Sequence, residues 1–270
     1  MKYKLLALDM DGTTLNSEKK ISPKTAAAIS ELLNSGVTVV LSTGRGLSEV
    51  VDYKNELKSM HYGILVSGGM VYDILKSKPV TTHPLDKKTM LELVDGAIAE
   101  NGMIQLLTED ASVTREEDIQ NMDKFFMEIY QDMYDRNCVR CDDFKKFILD
   151  NPGKILKFNV YHRDKESRER NFKRFKDLNL SISYAEVTGL EMSPKGVTKA
   201  AGLRELCDYL KINLSETVAV GDAPNDIEIL QTAGLAVAMG NASDEIKKLA
   251  DFVTDDNDHD GIVKVIEKYF

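Results

Sequence analysis

The sequence predicts an α/β protein: a parallel sheet with helices on both faces, and a second α/β domain inserted into it. Three observations carry this. Five short apolar runs each stop at glycine and small polar residues, and helical-period segments lie between them. The long interval between Gly69 and Glu191 has none of these polar strand ends. Runs that are apolar throughout, rather than alternating, read as strands buried on both faces, and strands alternating with helices argue for parallel pairing.

The strands can be taken in order. Tyr3–Leu8 leads into Asp9-Met10-Asp11-Gly12-Thr13-Thr14, and Val37–Leu41 ends in Ser42-Thr43-Gly44-Arg45. Tyr62–Val66 ends in Ser67-Gly68-Gly69. Thr217–Val220 ends in Gly221-Asp222-Ala223-Pro224-Asn225-Asp226, and Leu235–Met239 in Gly240-Asn241-Ala242. A helix is expected from near Ser22 and another over Thr198–Leu210. The segment after Gly12 is too short to lodge a domain, so the inserted α/β domain is placed at 83–188, with 1–82 and 189–270 forming the core. Within the insert, helices are expected at Lys87–Asn101, Asp118–Arg136 and Lys165–Leu178. Strands are expected at Met103–Leu107, Ile155–Tyr161 and Leu180–Glu186, with hinges near Thr81–Pro84 and Val187–Leu190.

Composition narrows the function classes. At 270 residues the chain exceeds the usual single core. A net charge of −9 without a basic block makes nucleic acid and anionic membranes poor partners. No stretch approaches the roughly 20 apolar residues that span a bilayer. The N-terminal residues run straight into a strand, without a signal-peptide pattern. Three cysteines, an odd number, argue for a reducing, cytoplasmic setting.

Ligands of open α/β sheets bind beyond the carboxyl ends of the strands, where all five polar segments collect. Asp9 and Asp11, one residue apart, are expected to leave the first strand on one face, as two carboxylates that repel unless a cation or proton intervenes. Such a pair suits a divalent metal held beside a nucleophile.

Four segments in this order, Asp9-Met10-Asp11-Gly12-Thr13, Ser42-Thr43-Gly44-Arg45, Lys199 and Gly221-Asp222-Ala223-Pro224-Asn225-Asp226, resemble the motifs of the haloacid dehalogenase-like hydrolases. The tail Val237–Ala242, followed by Asp260-Gly261-Ile262, is similar to the Cof-type sugar-phosphatase subfamily. The resemblance covers roughly residues 1–82 and 190–270. It implies a Rossmann-like core with an inserted α/β cap that sets substrate choice. It also implies a Mg²⁺-dependent phosphatase acting on a small phosphorylated metabolite such as a sugar phosphate, through an aspartyl-phosphate intermediate. Asp9 would be the nucleophile and Asp11 the acid and base. Asp9, Asp222 and the Asp11 carbonyl would hold Mg²⁺, a hard cation that prefers oxygen ligands. Asp226 would hold a metal-bound water or Lys199. Met10, Thr43, Gly44, Lys199 and Asn225 would hold the phosphoryl oxygens. The family has Lys-Gly where this chain has Lys199-Ala200; Lys195 reads as a surface charge.

Two other functions share this core. A sugar phosphomutase would return the phosphoryl group, but the short segment after Gly12 leaves no room for its small mobile cap. A non-enzymatic phospho-ligand sensor would not need Asp11 and Lys199. Two further patterns are read as bland. Asp256–Glu267 satisfies the calcium-loop spacing, yet such loops need a helix on each side, and Phe252–Thr254 reads as a strand end. Cys138-Val139-Arg140-Cys141 is a lone pair without a metal-spaced partner. Arg45 reads as an ion-pair partner, and Met122, Met127 and Met133 as core fillers.

Overall fold

Eight strands form one sheet and six another in the computed structural model of the chain, which describes residues 2–57 and 60–270. The chain divides into two units. The first comprises Met1–Gly44, Asp52–Thr81 and Thr198–Phe270; the second comprises Arg45–Val51 and Thr82–Val197.

The eight-stranded sheet contains β1 (Leu5–Leu8), β2 (Thr38–Ser42), β3 (Tyr62–Leu65), β4 (Met70–Asp73), β5 (Lys78–Thr82), β12 (Thr217–Gly221), β13 (Leu235–Ala238) and β14 (Phe252–Val253). Its order is β14-β13-β12-β1-β2-β3-β4-β5. From β14 to β3 every pair is parallel, as the apolar runs predict, and β4 adds antiparallel to β3. The reversal passes through Val66, Ser67 and Gly68, with φ of 55°, 57° and 93°. The helices of this unit are α1 (Pro23–Asn34), α8 (Lys199–Leu210), α9 (Ile227–Thr232), α10 (Asp244–Leu249) and α11 (Gly261–Tyr269). Ser22 caps α1 by accepting the Thr25 N–H, and Pro23 follows at the first helical position, where its missing N–H costs nothing. Leu5, Ala7, Val40, Ile64 and Ala219 of the sheet bury against Leu203 and Leu206 of α8 and Ile229 of α9.

The six-stranded sheet contains β6 (Met103–Thr108), β7 (Ser112–Thr114), β8 (Cys138–Arg140), β9 (Ile155–Tyr161), β10 (Leu180–Ala185) and β11 (Gly189–Pro194), in the order β10-β11-β9-β6-β7-β8. The unit's helices are α2 (Leu47–Val50), α3 (Lys87–Ala99), α4 (Glu116–Ile119), α5 (Gln131–Asn137), α6 (Phe144–Asp150) and α7 (Lys165–Phe175). Leu93 and Val94 of α3, Ile148 of α6 and Phe175 of α7 pack on Ile104, Leu106, Phe158 and Val160.

Three expectations change. Residues 45–51 and 189–197, both assigned to the core, lie in the second unit, the first with Glu49 bonded to Gln105 and the second because β11 is hydrogen-bonded to β10 on one side and β9 on the other. For the same reason Val187–Leu190 is no hinge: Gly189 and Leu190 are ladder residues. The helix expected at Asp118–Arg136 is instead α4, two short 3₁₀ turns and α5. Phe126 breaks it with a left-handed φ of 58°, which lets Met122, Phe125, Met127 and Tyr134 bury with Met103 and Tyr161. The segment before Asp256 is β14, a strand rather than the helix a calcium loop needs. Among the described residues, no helix is long and apolar enough to cross a membrane.

Candidate active site

β1 ends one residue before the site. The Asp9 N–H extends the ladder by donating to the Val220 carbonyl (3.0 Å), and the chain then turns back on itself. The Thr14 N–H (3.2 Å) and hydroxyl (2.5 Å) both donate to the Asp9 carbonyl, and the Leu15 N–H donates to the Met10 carbonyl (2.8 Å). Gly12 adopts φ of +76°, and a Cβ there would lie 2.3 Å from Asp222 Oδ2. The turn therefore needs glycine both for its backbone and for the approach of Asp222.

Lys199 opens α8, whose cap is the Thr198 hydroxyl accepting the Ala201 N–H. Its fully buried ammonium donates to Asp9 Oδ1 (2.6 Å) and Asp226 Oδ1 (2.7 Å). Asp226 Oδ2 accepts the Asp222 and Ala223 N–H groups, each at 3.1 Å. Gly221 makes room for it, since a Cβ there would sit 2.5 Å from Asp226 Cγ. Asp222 Oδ1 accepts the Thr13 hydroxyl at 2.6 Å.

Three carboxylates thus surround one ammonium. One oxygen from each of Asp9, Asp222 and Asp226 lies within 4.8 Å of the others. Burial pushes the Asp9 carboxyl well above the usual carboxylate range, and Asp226 adds to this while Lys199 opposes it. Burial likewise lifts Asp222 to about 6, against the Thr13 hydrogen bond and with help from Asp226. Burial alone would lower the Lys199 ammonium, but Asp226 and Asp9 outweigh it and raise its pKa. A divalent cation or a proton would offset this excess negative charge. Both Asp226 oxygens have hydrogen-bond partners, whereas Asp9 and Asp222 each bond through Oδ1. An all-oxygen donor set fits a hard ion.

The remaining sequence candidates fall in different places. Asp11 is not among the clustered carboxylates. It lies beyond the end of β1, where strand alternation no longer applies, and its Oδ1 accepts the Lys19 ammonium at 2.8 Å. Met10 and Thr43 are buried, Gly44 is half-buried, and Asn225 is exposed. The Thr43 N–H donates to the Ile64 carbonyl, and its carbonyl accepts the Ser67 N–H, each at 2.9 Å. Sequence reasoning missed the roles of Thr13 and Lys19, and that of Asn241, whose Nδ2 donates to the Gly12 carbonyl at 2.8 Å. Thr13 stood inside the first motif and Asn241 at a strand end, which is the signal that could have found them.

The second unit has its own buried polar group. Glu49 accepts Gln105 Nε2 and the Gly46 N–H, both at 2.7 Å. Lys157, fully buried on β9, pairs with Glu191 of β11 at 2.7 Å. Arg45 sits against the Met133 sulfur (3.4 Å) and near the Tyr130 ring. Lysine and asparagine at 157 and 159 of an otherwise apolar strand were the sequence signal for a polar sheet face.

A buried lysine bridges two carboxylates at the carboxyl ends of parallel strands, where open α/β sheets bind their ligands. The sequence profile of the haloacid dehalogenase-like hydrolases matches residues 6–266. The chain is 32% identical over 267 residues to 5-amino-6-(5-phospho-D-ribitylamino)uracil phosphatase YcsE of Bacillus subtilis, covering 98% of this chain and 95% of that protein. It is 30% identical over 285 residues to Phosphatase YwpJ of the same organism, covering 98% and 99%. A solved haloacid dehalogenase-like hydrolase from B. subtilis superposes with a TM-score of 0.88 at 26% identity, over 99% of this chain and 100% of that one. This chain belongs to the haloacid dehalogenase-like hydrolases, and it is a phosphatase of that superfamily.

Proposed function

We propose that the protein is a Mg²⁺-dependent phosphomonoesterase that hydrolyses a small phosphorylated metabolite, such as a sugar phosphate, through an aspartyl-phosphate on Asp9. The observation that carries this is the Asp9 carboxylate at the end of β1, held by the buried Lys199 ammonium with Asp222 and Asp226 alongside. Bound Mg²⁺, held by Asp9, Asp222 and the Asp11 carbonyl, would offset the repulsion between an anionic nucleophile and an anionic phosphate. Asp9 attacks phosphorus and the ester oxygen leaves, taking a proton from the Asp11 carboxyl. Asp11 then accepts a proton from the water that attacks the Asp9 phosphate, and inorganic phosphate departs. Lys199, the Thr43 hydroxyl, the Met10 and Gly44 N–H groups and Asn225 hold the phosphoryl oxygens, so catalysis is positioning and charge stabilisation. Asp226 fixes Lys199. The second unit acts as the cap that selects the organic part of the substrate, and the enzyme works in the cytoplasm.

The test is phosphate release from a panel of phosphorylated metabolites and p-nitrophenyl phosphate, with Mg²⁺ or with EDTA. The panel includes 5-amino-6-(5-phospho-D-ribitylamino)uracil, for which the relative YcsE is named. Metal-dependent release that disappears in Asp9→Asn is expected. A folded, Mg²⁺-binding protein that releases nothing from any member would overturn the reading.

A further inference from the structure

The turn that follows the first motif is built to hold one side chain. Asn16 closes it: its N–H donates to the Lys20 carbonyl and its own carbonyl accepts the Lys19 N–H, both at 2.9 Å. Its side-chain oxygen accepts the N–H groups of Glu18 (3.1 Å) and Lys20 (2.9 Å). Lys19 has a left-handed φ of 58°, a conformation that costs a non-glycine residue roughly 1 kcal/mol or more and persists only where the surroundings impose it.

Contacts from distant parts of the first unit impose it. The Tyr53 hydroxyl donates to the Lys19 carbonyl at 2.9 Å. Asn257 Nδ2 donates to the Leu15 carbonyl at 2.9 Å, and the Ser17 N–H donates to Asp258 Oδ1 at 2.8 Å. The pinned turn delivers the Lys19 ammonium to Asp11 Oδ1 at 2.8 Å, with both side chains about two-thirds buried. A lysine on a loose surface turn would direct its partner weakly, because such pairs are worth about 0–1 kcal/mol. Here the pinned backbone fixes where the lysine side chain starts, and from that anchor its ammonium holds the carboxylate.

We propose that Lys19 is a positioning residue for the reaction: it acts through Asp11, setting the direction from which that carboxyl group meets the leaving oxygen. The proposal rests on the reading of Asp11 as the acid and base. An aspartate has two side-chain torsions, and a carboxyl without an anchor samples several rotamers. Proton transfer needs one of them, with heavy atoms about 2.6–3.2 Å apart. A displacement of about 1 Å can cost on the order of a hundredfold in rate.

The experiment compares two leaving groups. An alkyl monophosphate from the panel needs its departing alkoxide protonated, whereas p-nitrophenyl phosphate releases a phenolate that is stable at neutral pH. In single-turnover measurements of leaving-group release, the step that precedes the shared hydrolysis of the Asp9 phosphate, Lys19→Met is expected to slow release about tenfold or more on the alkyl phosphate and by no more than about twofold on p-nitrophenyl phosphate. Tyr53→Phe, which removes the clamp on the Lys19 carbonyl, is expected to give a weaker form of the same split. Equal losses on both substrates in Lys19→Met, or no loss on either, would overturn the proposal. Asp9→Asn separates the two levels of inference, since its loss of both activities upholds the hydrolase while leaving the Lys19 result to stand or fall alone.

Discussion

Asp222 is pulled two ways, by burial that favours its neutral form and by the Thr13 hydroxyl that favours its charge, and burial wins. A carboxyl whose folded pKa is about 6, above an unfolded value near 4, favours folding while it is protonated. That contribution is whole below about pH 4 and is lost as pH rises through about 6. Asp222→Asn is therefore expected to melt above the wild type at pH 7–8 in EDTA, by at most about 2–3 kcal/mol, with the gap closing towards pH 4. Added Mg²⁺ should raise the wild-type melting temperature and leave the variant unmoved. A wild type that is the more stable in EDTA at pH 8 would contradict the sign. At this scale much was legible: Asp9, Lys199, Asp222 and Asp226, far apart in sequence, meet in the fold. Lys19 was not, because one lysine in a polar turn carries no pattern, and its meaning lies in the hydrogen bonds that bend the turn around it.

Among the elements, α8 bears directly on the site because its first residue is Lys199. The loop Val66–Gly68 abuts its start, where a Cβ on Gly68 would lie 2.1 Å from the Thr198 carbonyl oxygen. Val66 and Ser67 hold left-handed φ beside it, at a cost of order 1–3 kcal/mol each. The same loop bonds to Thr43 through the Ser67 N–H, so one strained segment touches two parts of the site. Thr198→Ala removes the helix cap and should cost about 1 kcal/mol of stability, read as a lower denaturant midpoint, together with a fall in kcat as Lys199 loosens. An unchanged midpoint would show that the cap is dispensable. The core strands were readable because they are apolar from end to end. β7 and β8, three residues each, are too short to show a period. The segment from Glu116 to Asn137 misled because its apolar spacing suits a helix, while the burial of Phe125 and Met127 was met by breaking one at Phe126.

At the scale of the whole molecule, each sheet has its own apolar core among the described residues, and the second unit has a further cluster around Phe125 and Tyr134. Phe158→Ala in the second unit should cost about 3–5 kcal/mol. Amide exchange should speed up in β6, β9 and β11 and stay slow in β1, β2 and β12. Uniform acceleration across both sheets would mean that the cores unfold as one. The existence of a second α/β domain was legible from the long motif-free interval, but its edges were not. Arg45–Val51 joins it because Glu49 bonds to Gln105, a contact no local pattern announces. β11 joins it because its partners are β9 and β10, and pairing is not written in a strand's own residues.

The position of β1 between β2 and β12 has a consequence in time. Leu5–Leu8 emerges from the ribosome about two hundred residues ahead of Thr217–Gly221. At about 5–20 residues per second the wait is about 10–40 s. Throughout it, one edge of the strand that ends in Asp9 is open to pairing with a neighbouring nascent chain. Asp222 and Asp226, which complete the charge pattern around Asp9, arrive only after β12, so a polypeptide released before that point carries Asp9 without the partners that surround it.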